Sequence, residues 1–206
     1  EQHYPGEERL AARPQKTAPS YDFLDAKGAV WGVLNGWEHP NWFAPPGVKR
    51  ENQASWRWTK KGVHVGAEAL AVRQSAGLVE MTFMSKYEVS GPGAAAWLDA
   101  TLANRLPKVG RVNLSHLLTP RGTVVGEFTV SRLAEDLFYL LGTPTAERYY
   151  FDELSRLLPA SGVTLRNVSA ERAGMTVVGP KARDILHPLT ETSLQNAGVA
   201  AVAALV

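Results

Sequence analysis

The sequence has no cysteine. That excludes disulfides, a thiolate metal site and a cysteine nucleophile. It also has little net charge: 22 Lys plus Arg stand against 20 Asp plus Glu, a balance of +2. No basic stripe appears, so nucleic acid is not an expected partner. No apolar run reaches the roughly 18 residues a membrane-spanning helix needs. The most apolar stretch, "AGVAAVAALV" at 197–206, is too short. The five histidines (His3, His39, His64, His116, His187) show no metal-ligand spacing. There is no phosphate loop, and "GPG" at 91–93 lacks the remaining glycine of a dinucleotide fingerprint.

What is present suits a folded chain. Of 206 residues, 45% are hydrophobic and 20% charged, enough for one large domain or a domain with an appendage. The chain begins without Met and stops at Val206 inside an apolar segment, so we expect a piece of a longer chain. Organisation changes near residue 60. The first 60 residues hold six of the thirteen prolines and five of the six tryptophans: Trp31, Trp37, Trp42, Trp56 and Trp58. Proline-rich chain is poor helix material. Large aromatics suit it either to docking against a neighbouring domain or to a local aromatic cluster. "SYDFLDAKG" predicts a short helix with Ser20 as N-cap and Gly28 just past its end.

From residue 62 the pattern is regular. "GAEALAVRQSAG" has helical spacing and stops at Gly77, and "GLVEMTFMSKYEVSG" alternates as a strand. "GPGAAAWLDATLAN" opens a helix with Gly-Pro. "GRVNLSHLLTP" and "GTVVGEFTVSRL" are strands joined by the turn "TPRG", and "DLFYLLG" is a third strand. "TAERYYFDELSRLLP" is an amphipathic helix; "VTLRNVS" and "AGMTVVG" are strands; "PKARDILHPLT" is another helix. Residues 87–102 and 175–190 share one plan of strand, Gly-Pro and helix. Such a corner can bind an anion or simply turn the chain compactly. Two such units with strands between them predict an α+β fold with split β-α-β units. The strands ending at Gly91 and Gly179 are expected in one sheet.

Glu127 is the odd residue. By alternation Val125, Glu127, Thr129 and Ser131 share one strand face, and Val124, Gly126, Phe128 and Val130 share a core face. The polar trio fits either the mouth of a pocket or the solvated face of an antiparallel sheet. Arg132 falls on the opposite face and is not expected to neutralise Glu127. His116 reads as a core or edge residue; Ser115 beside it points the other way, so the two make no nucleophile–base pair. Glu135 and Asp136 read as a solvated hairpin turn.

Several longer stretches carry a resemblance. "YPGEERLAARP", "GAVWGVLNGWEHPNWFAP", "AVRQSAGLVEMTFMSKYEVSGPGAAAWLD", "GEFTVSRLAEDLFYL" and "MTVVGPKARDIL" resemble the C-terminal half of the sarcosine and dimethylglycine dehydrogenase group. These are flavin-dependent N-demethylating enzymes. Their last portion is a folate-binding domain similar to the glycine-cleavage T-protein. The resemblance implies that residues 1–55 link to a flavin domain, and that 56–206 begin a T-protein-like domain with antiparallel and mixed sheets, incomplete at its C-terminus. It implies tetrahydrofolate as cofactor of the complete domain, FAD in the preceding domain, an N-methylated amine or amino acid as substrate, and a flavin domain docked on the Trp-rich linker. It implies the cytoplasm in a bacterium and the mitochondrial matrix in a eukaryote. Glu127 matches the strand carboxylate that supports the attacking folate nitrogen, a position where better-known members carry Asp. Thr129 and Ser131 match positions near the pterin, and Tyr139 lies on the adjacent strand. Neither a flavin-binding fingerprint nor the later Gly-Glu-Asp-Gly motif is present in these 206 residues. The Asp-to-Glu change leaves open a structural or regulatory module without folate chemistry.

Overall fold

The computed structural model describes Tyr4, residues 7–191 and Leu194; the apolar stretch 197–206 lies outside the described residues. In chain order the elements are α1 (Tyr21–Ala26), β1 (Ala29–Leu34), β2 (Trp37–Phe43), α2 (Lys61–Gln74), β3 (Gly77–Glu80), β4 (Ser85–Ser90), α3 (Ala94–Thr101), β5 (Val112–Leu118), β6 (Val124–Ala134), β7 (Leu137–Gly142), α4 (Glu147–Arg156), β8 (Thr164–Asn167), β9 (Met175–Val178) and α5 (Ala182–Leu186). They form two compact units. One comprises the chain up to Phe83 together with Ala173–Glu191, and the other Met84–Arg172.

In the first unit the proline-rich stretch is not a mere wrapping segment. Residues 29–43 form an antiparallel hairpin. Its turn is Asn35-Gly36, with φ of 52° and 85°. Positive φ at both central residues is what a two-residue hairpin loop demands, and Asn-Gly meets it at low cost. Trp37 and Trp42 are buried on this hairpin. Trp31 stacks on Tyr21 at 4.2 Å and donates through Nε1 to Asp25 at 2.9 Å. These three tryptophans form local contacts, whereas Trp56 and Trp58 are 76% and 87% exposed. Helix α1 follows Ser20 as expected, but the Ser20 hydroxyl makes no capping bond and is buried without a partner among the described residues. Helix α2 starts earlier than its pattern indicates and buries none of its side chains.

The second unit is a five-stranded antiparallel sheet in the order β5-β6-β7-β4-β8. Strand β4 runs antiparallel to both β7 and β8, so β7-α4-β8 is a split β-α-β unit with β4 inserted. Tyr87, Val89, Phe128, Val130, Phe138 and Leu140 bury one sheet face against Trp97 and Leu98 of α3 and Tyr150 and Leu154 of α4. Two polar anchors fix the helices. Trp97 Nε1 donates to the Leu157 carbonyl at 2.7 Å, and Tyr87 OH donates to that of Glu147 at 2.7 Å.

One expectation fails. The strands ending at Gly91 and Gly179 lie in different sheets: β4 is in the five-stranded sheet, while β9 pairs with β3 in a two-stranded one. The stretch that alternates from Gly77 to Ser90 is not one strand. It breaks after Glu80, whose carboxylate accepts from Thr82 N at 2.7 Å. The corners themselves are alike. Gly91 and Gly179 have φ of 115° and 116°, and a Cβ on either would sit about 2.5 Å from a backbone oxygen. Glycine is required at both by conformation and by space.

Candidate functional site

Strand β6 carries the candidate site. Its hairpin with β5 closes at "TPRG", where Thr119 N bonds to the Thr123 carbonyl and Gly122 takes φ 79°. Counting inward from that turn would place His116 opposite Gly126. A bulge intervenes: Leu118 pairs with Val124, but Leu117 pairs with Gly126. The extra residue is Val125. It packs against the core, while Val124 is exposed, the reverse of strict alternation. Beyond the bulge the alternation holds. Phe128 and Val130 are buried in the core, and Glu127, Thr129 and Ser131 point to the other face.

The bulge also decides Glu127's partner. It sets His116 directly across from Glu127, and His116 Nε2 lies 3.0 Å from Glu127 Oε2. A carboxylate only accepts hydrogen bonds, so Nε2 carries the proton. The Glu127 side chain is 59% exposed and that of His116 35%. Arg132 stays away, pairing with Glu135 at 2.9 Å with its guanidinium over Phe138. Glu135 and Asp136 occupy the exposed turn.

Two further rows complete the face. Ser131 pairs in register with Val112 and Tyr139, Tyr139 with Glu88, and Glu88 with Arg166. Thr129 lies between Leu114 and Leu141. Glu127 and Ser131 are four residues apart, about 13 Å along the strand. The Ser131 hydroxyl is buried and has no hydrogen-bond partner among the described residues. Burial pushes the Tyr139 phenol upward; Arg172 opposes this and Glu88 adds to it. Glu88 is bonded by Arg166 at 3.3 Å, and Arg166 reaches Glu171 at 2.9 Å. Lys86 is buried and its Nζ donates to the Met84 and Ser169 carbonyls at 2.8 and 3.3 Å. All four sequence-predicted site residues, Glu127, Thr129, Ser131 and Tyr139, therefore lie on one face, with a carboxylate at one end and an unsatisfied hydroxyl at the other. His116 meets Glu127 only through the bulge, which strict alternation does not anticipate.

Among the described residues no group of three or more His, Cys, Asp or Glu is arranged to hold a cation. A cavity of about 340 Å³ does exist in the first unit, lined by Leu24, His39, Phe43, Val72, Leu78 and Met175 among others. It is mainly apolar and contains none of the four residues. No described helix is long and apolar enough to cross a membrane.

Comparison with known proteins identifies the class. A family described as "GCVT N-terminal domain" matches residues 20–204, and the chain belongs to that family. Rat (Rattus norvegicus) "Dimethylglycine dehydrogenase, mitochondrial" is 36% identical over 94% of this chain and 23% of its own length. "Sarcosine oxidase subunit alpha" of Rhizobium meliloti (strain 1021) is 28% identical over 93% of this chain and 19% of its own. The chain thus spans about a fifth to a quarter of these relatives. The crystal structure of glycine cleavage system aminomethyltransferase T from Bartonella henselae superposes with a TM-score of 0.69 at 27% identity, over 84% of this chain and 43% of that one. The fold is T-protein-like, and the chain accounts for part of that domain.

Proposed function

We propose that this chain is the folate-binding portion of a longer flavin-dependent enzyme that demethylates N-methylated amines. When bound, tetrahydrofolate supplies secondary amine nitrogens that accept a one-carbon unit. Glu127 takes the proton released as such a nitrogen attacks. Ser131 and Tyr139 hold polar atoms of the ligand at the opposite end of the face, and Thr129 lines the stretch between. The observation that carries this reading is the buried Ser131 hydroxyl, with no partner among the described residues, on the same face as Glu127 and beside Tyr139. A buried hydroxyl left unpaired is costly, and a bound ligand removes that cost.

The flavin belongs to another domain in this reading, since residues 1–206 contain no fingerprint for it. The exposed Trp56 and Trp58 are the docking points for that domain. The compartment follows the host, matrix in a eukaryote and cytoplasm in a bacterium. Calorimetric titration of the longer protein with tetrahydrofolate tests the proposal. Saturable binding weakened in Ser131→Ala is expected. No saturable signal would favour a module that has lost folate chemistry and serves the flavin domain structurally.

A further inference from the structure

Glu127 has a fixed partner and a free oxygen. His116 bonds Oε2, and no hydrogen bond to Oε1 is found among the described residues. The histidine has the anchored backbone and the less exposed side chain of the pair, 35% against 59%. Its backbone lies in register within β5, its carbonyl accepts from Ala103 N at 2.9 Å, and the next residue, Leu117, is buried and bridged to Leu102. Glu127 is the loose member. Its side chain is more than half exposed, so packing does not fix its torsions. The longer glutamate side chain also places the carboxylate about 1.5 Å farther from the strand than aspartate would, one C–C bond length.

We infer that His116 is a positioning residue for Glu127: its Nε2–H locks the carboxylate in one place on the polar face and leaves Oε1 open to take a proton. The inference rests on the reading of Glu127 given above and deepens it. The proton balance is simple. The attacking nitrogen's lone pair forms the new bond to the one-carbon electrophile, whose C=N π pair moves onto the amine nitrogen; the remaining C–N σ bond to that amine breaks only later, when the amine nitrogen takes a proton and the folate nitrogen's lone pair expels it. The N–H proton of the attacking nitrogen passes to Glu127 Oε1. His116 keeps its own proton throughout. Tyr150 of α4 also feels this carboxylate: burial and the Glu127 charge together push its phenol upward. A phenol so held stays neutral and does not compete for the proton.

This arrangement explains how glutamate can stand at the position. A carboxylate misplaced by about 1 Å can cost roughly 100-fold in rate. A hydrogen bond from a rigid neighbouring strand removes that freedom. The test uses the longer enzyme, with three substitutions, one double variant and two readouts. His116→Leu removes the donor, and His116→Gln keeps an N–H near the same place. In crystal structures of the folate-free enzyme, Glu127 should hold one rotamer in wild type and H116Q and spread over several in H116L. In turnover, H116L should lower the ratio of methylene-tetrahydrofolate to formaldehyde by about 10-fold, H116Q by less than about 3-fold, and H116L should add nothing in a Glu127→Gln background, because residues acting through one another are non-additive. An unchanged Glu127 rotamer in H116L overturns the inference. So does full coupling in H116L alongside a damaged E127Q, and in that case the folate reading survives. Full coupling in E127Q defeats the folate reading and the inference with it.

Discussion

Arg13→Met tests whether the hairpin of the first unit depends on one buried ion pair. Glu38 lies on β2 with its side chain 1% exposed. Arg13 reaches it twice, Nη2 to Oε2 at 2.6 Å and Nε to Oε1 at 3.2 Å, and Gln15 N donates to Oε1 at 3.2 Å. Burial alone would push the Glu38 carboxyl up. The bonds from Arg13 and Gln15 outweigh it and hold the group below the usual carboxylate range. Methionine keeps most of the arginine stem and removes the charge. Glu38 is then a buried carboxylate with one amide donor. Removing one partner of a buried pair costs about 3–5 kcal/mol. We take the lower end, about 3 kcal/mol at pH 7.5, because Glu38 can shed part of the penalty by binding a proton.

The sign with pH follows. In wild type the folded carboxyl is depressed, so its stabilisation is present above the unfolded value, about 4.3, and is lost as pH falls through the folded value. In R13M burial is largely unopposed, the folded carboxyl lies above the unfolded one, and lowering the pH toward 5 restores stability. The difference between the proteins should therefore shrink on acidification. Urea unfolding followed by tryptophan emission reads this out, since five of the six tryptophans precede residue 60. Adding Glu38→Gln to R13M should recover part of the loss, because no buried charge remains. A loss below about 1 kcal/mol, or one equal at pH 5 and 7.5, would refute the reasoning and class the pair with surface ion pairs.

The second unit should be sensitive to alkali. Burial pushes the phenols of Tyr87, Tyr139 and Tyr150 upward, so the folded state keeps protons that the unfolded chain releases near pH 10. Stability should fall by about 1.4 kcal/mol per pH unit per tyrosine above that point, in a pH-dependent urea series; a flat profile from pH 9.5 to 11 would contradict it. Gly126→Ala should destabilise by about 1–3 kcal/mol in thermal unfolding, since a Cβ there would lie 2.7 Å from the Tyr150 ring. The 206-residue chain alone should self-associate through Trp56, Trp58 and the unburied α2, and Trp56→Ser with Trp58→Ser should reduce this in analytical ultracentrifugation. A monomer with unchanged behaviour in the double variant would remove the docking role.

Elements with one strong local cause were legible. The "TPRG" hairpin, the core face of Phe128 and Val130, the Gly-Pro corners and the exposed Glu135-Asp136 turn all sit where residue type and spacing put them. The β1–β2 hairpin has an equally local cause in Asn35-Gly36, although dense prolines and tryptophans around it also suit a docking segment. Other features were not local. The break after Glu80 sends β3 to β9, about 95 residues on, and nothing in the alternating stretch 77–90 announces it. The bulge at Val125 exchanges the faces of Val124 and Val125 and carries Glu127 across from His116. One inserted residue thus changed both a face assignment and a partner, which strict period-two counting cannot anticipate.

The central claim is that Glu127 serves one-carbon capture by folate. The direct measurement is the partition of product in the longer enzyme, methylene-tetrahydrofolate against formaldehyde, for wild type and Glu127→Gln at saturating amine and tetrahydrofolate. Glutamine keeps the shape of the side chain and removes its charge and basicity. Flavin reduction by the amine should be unchanged, while methylene-tetrahydrofolate formation slows by about 10- to 100-fold and formaldehyde rises in its place. Equal partition in the two proteins, with flavin reduction intact in both, would contradict the claim and leave Glu127 a solvated strand residue paired with His116.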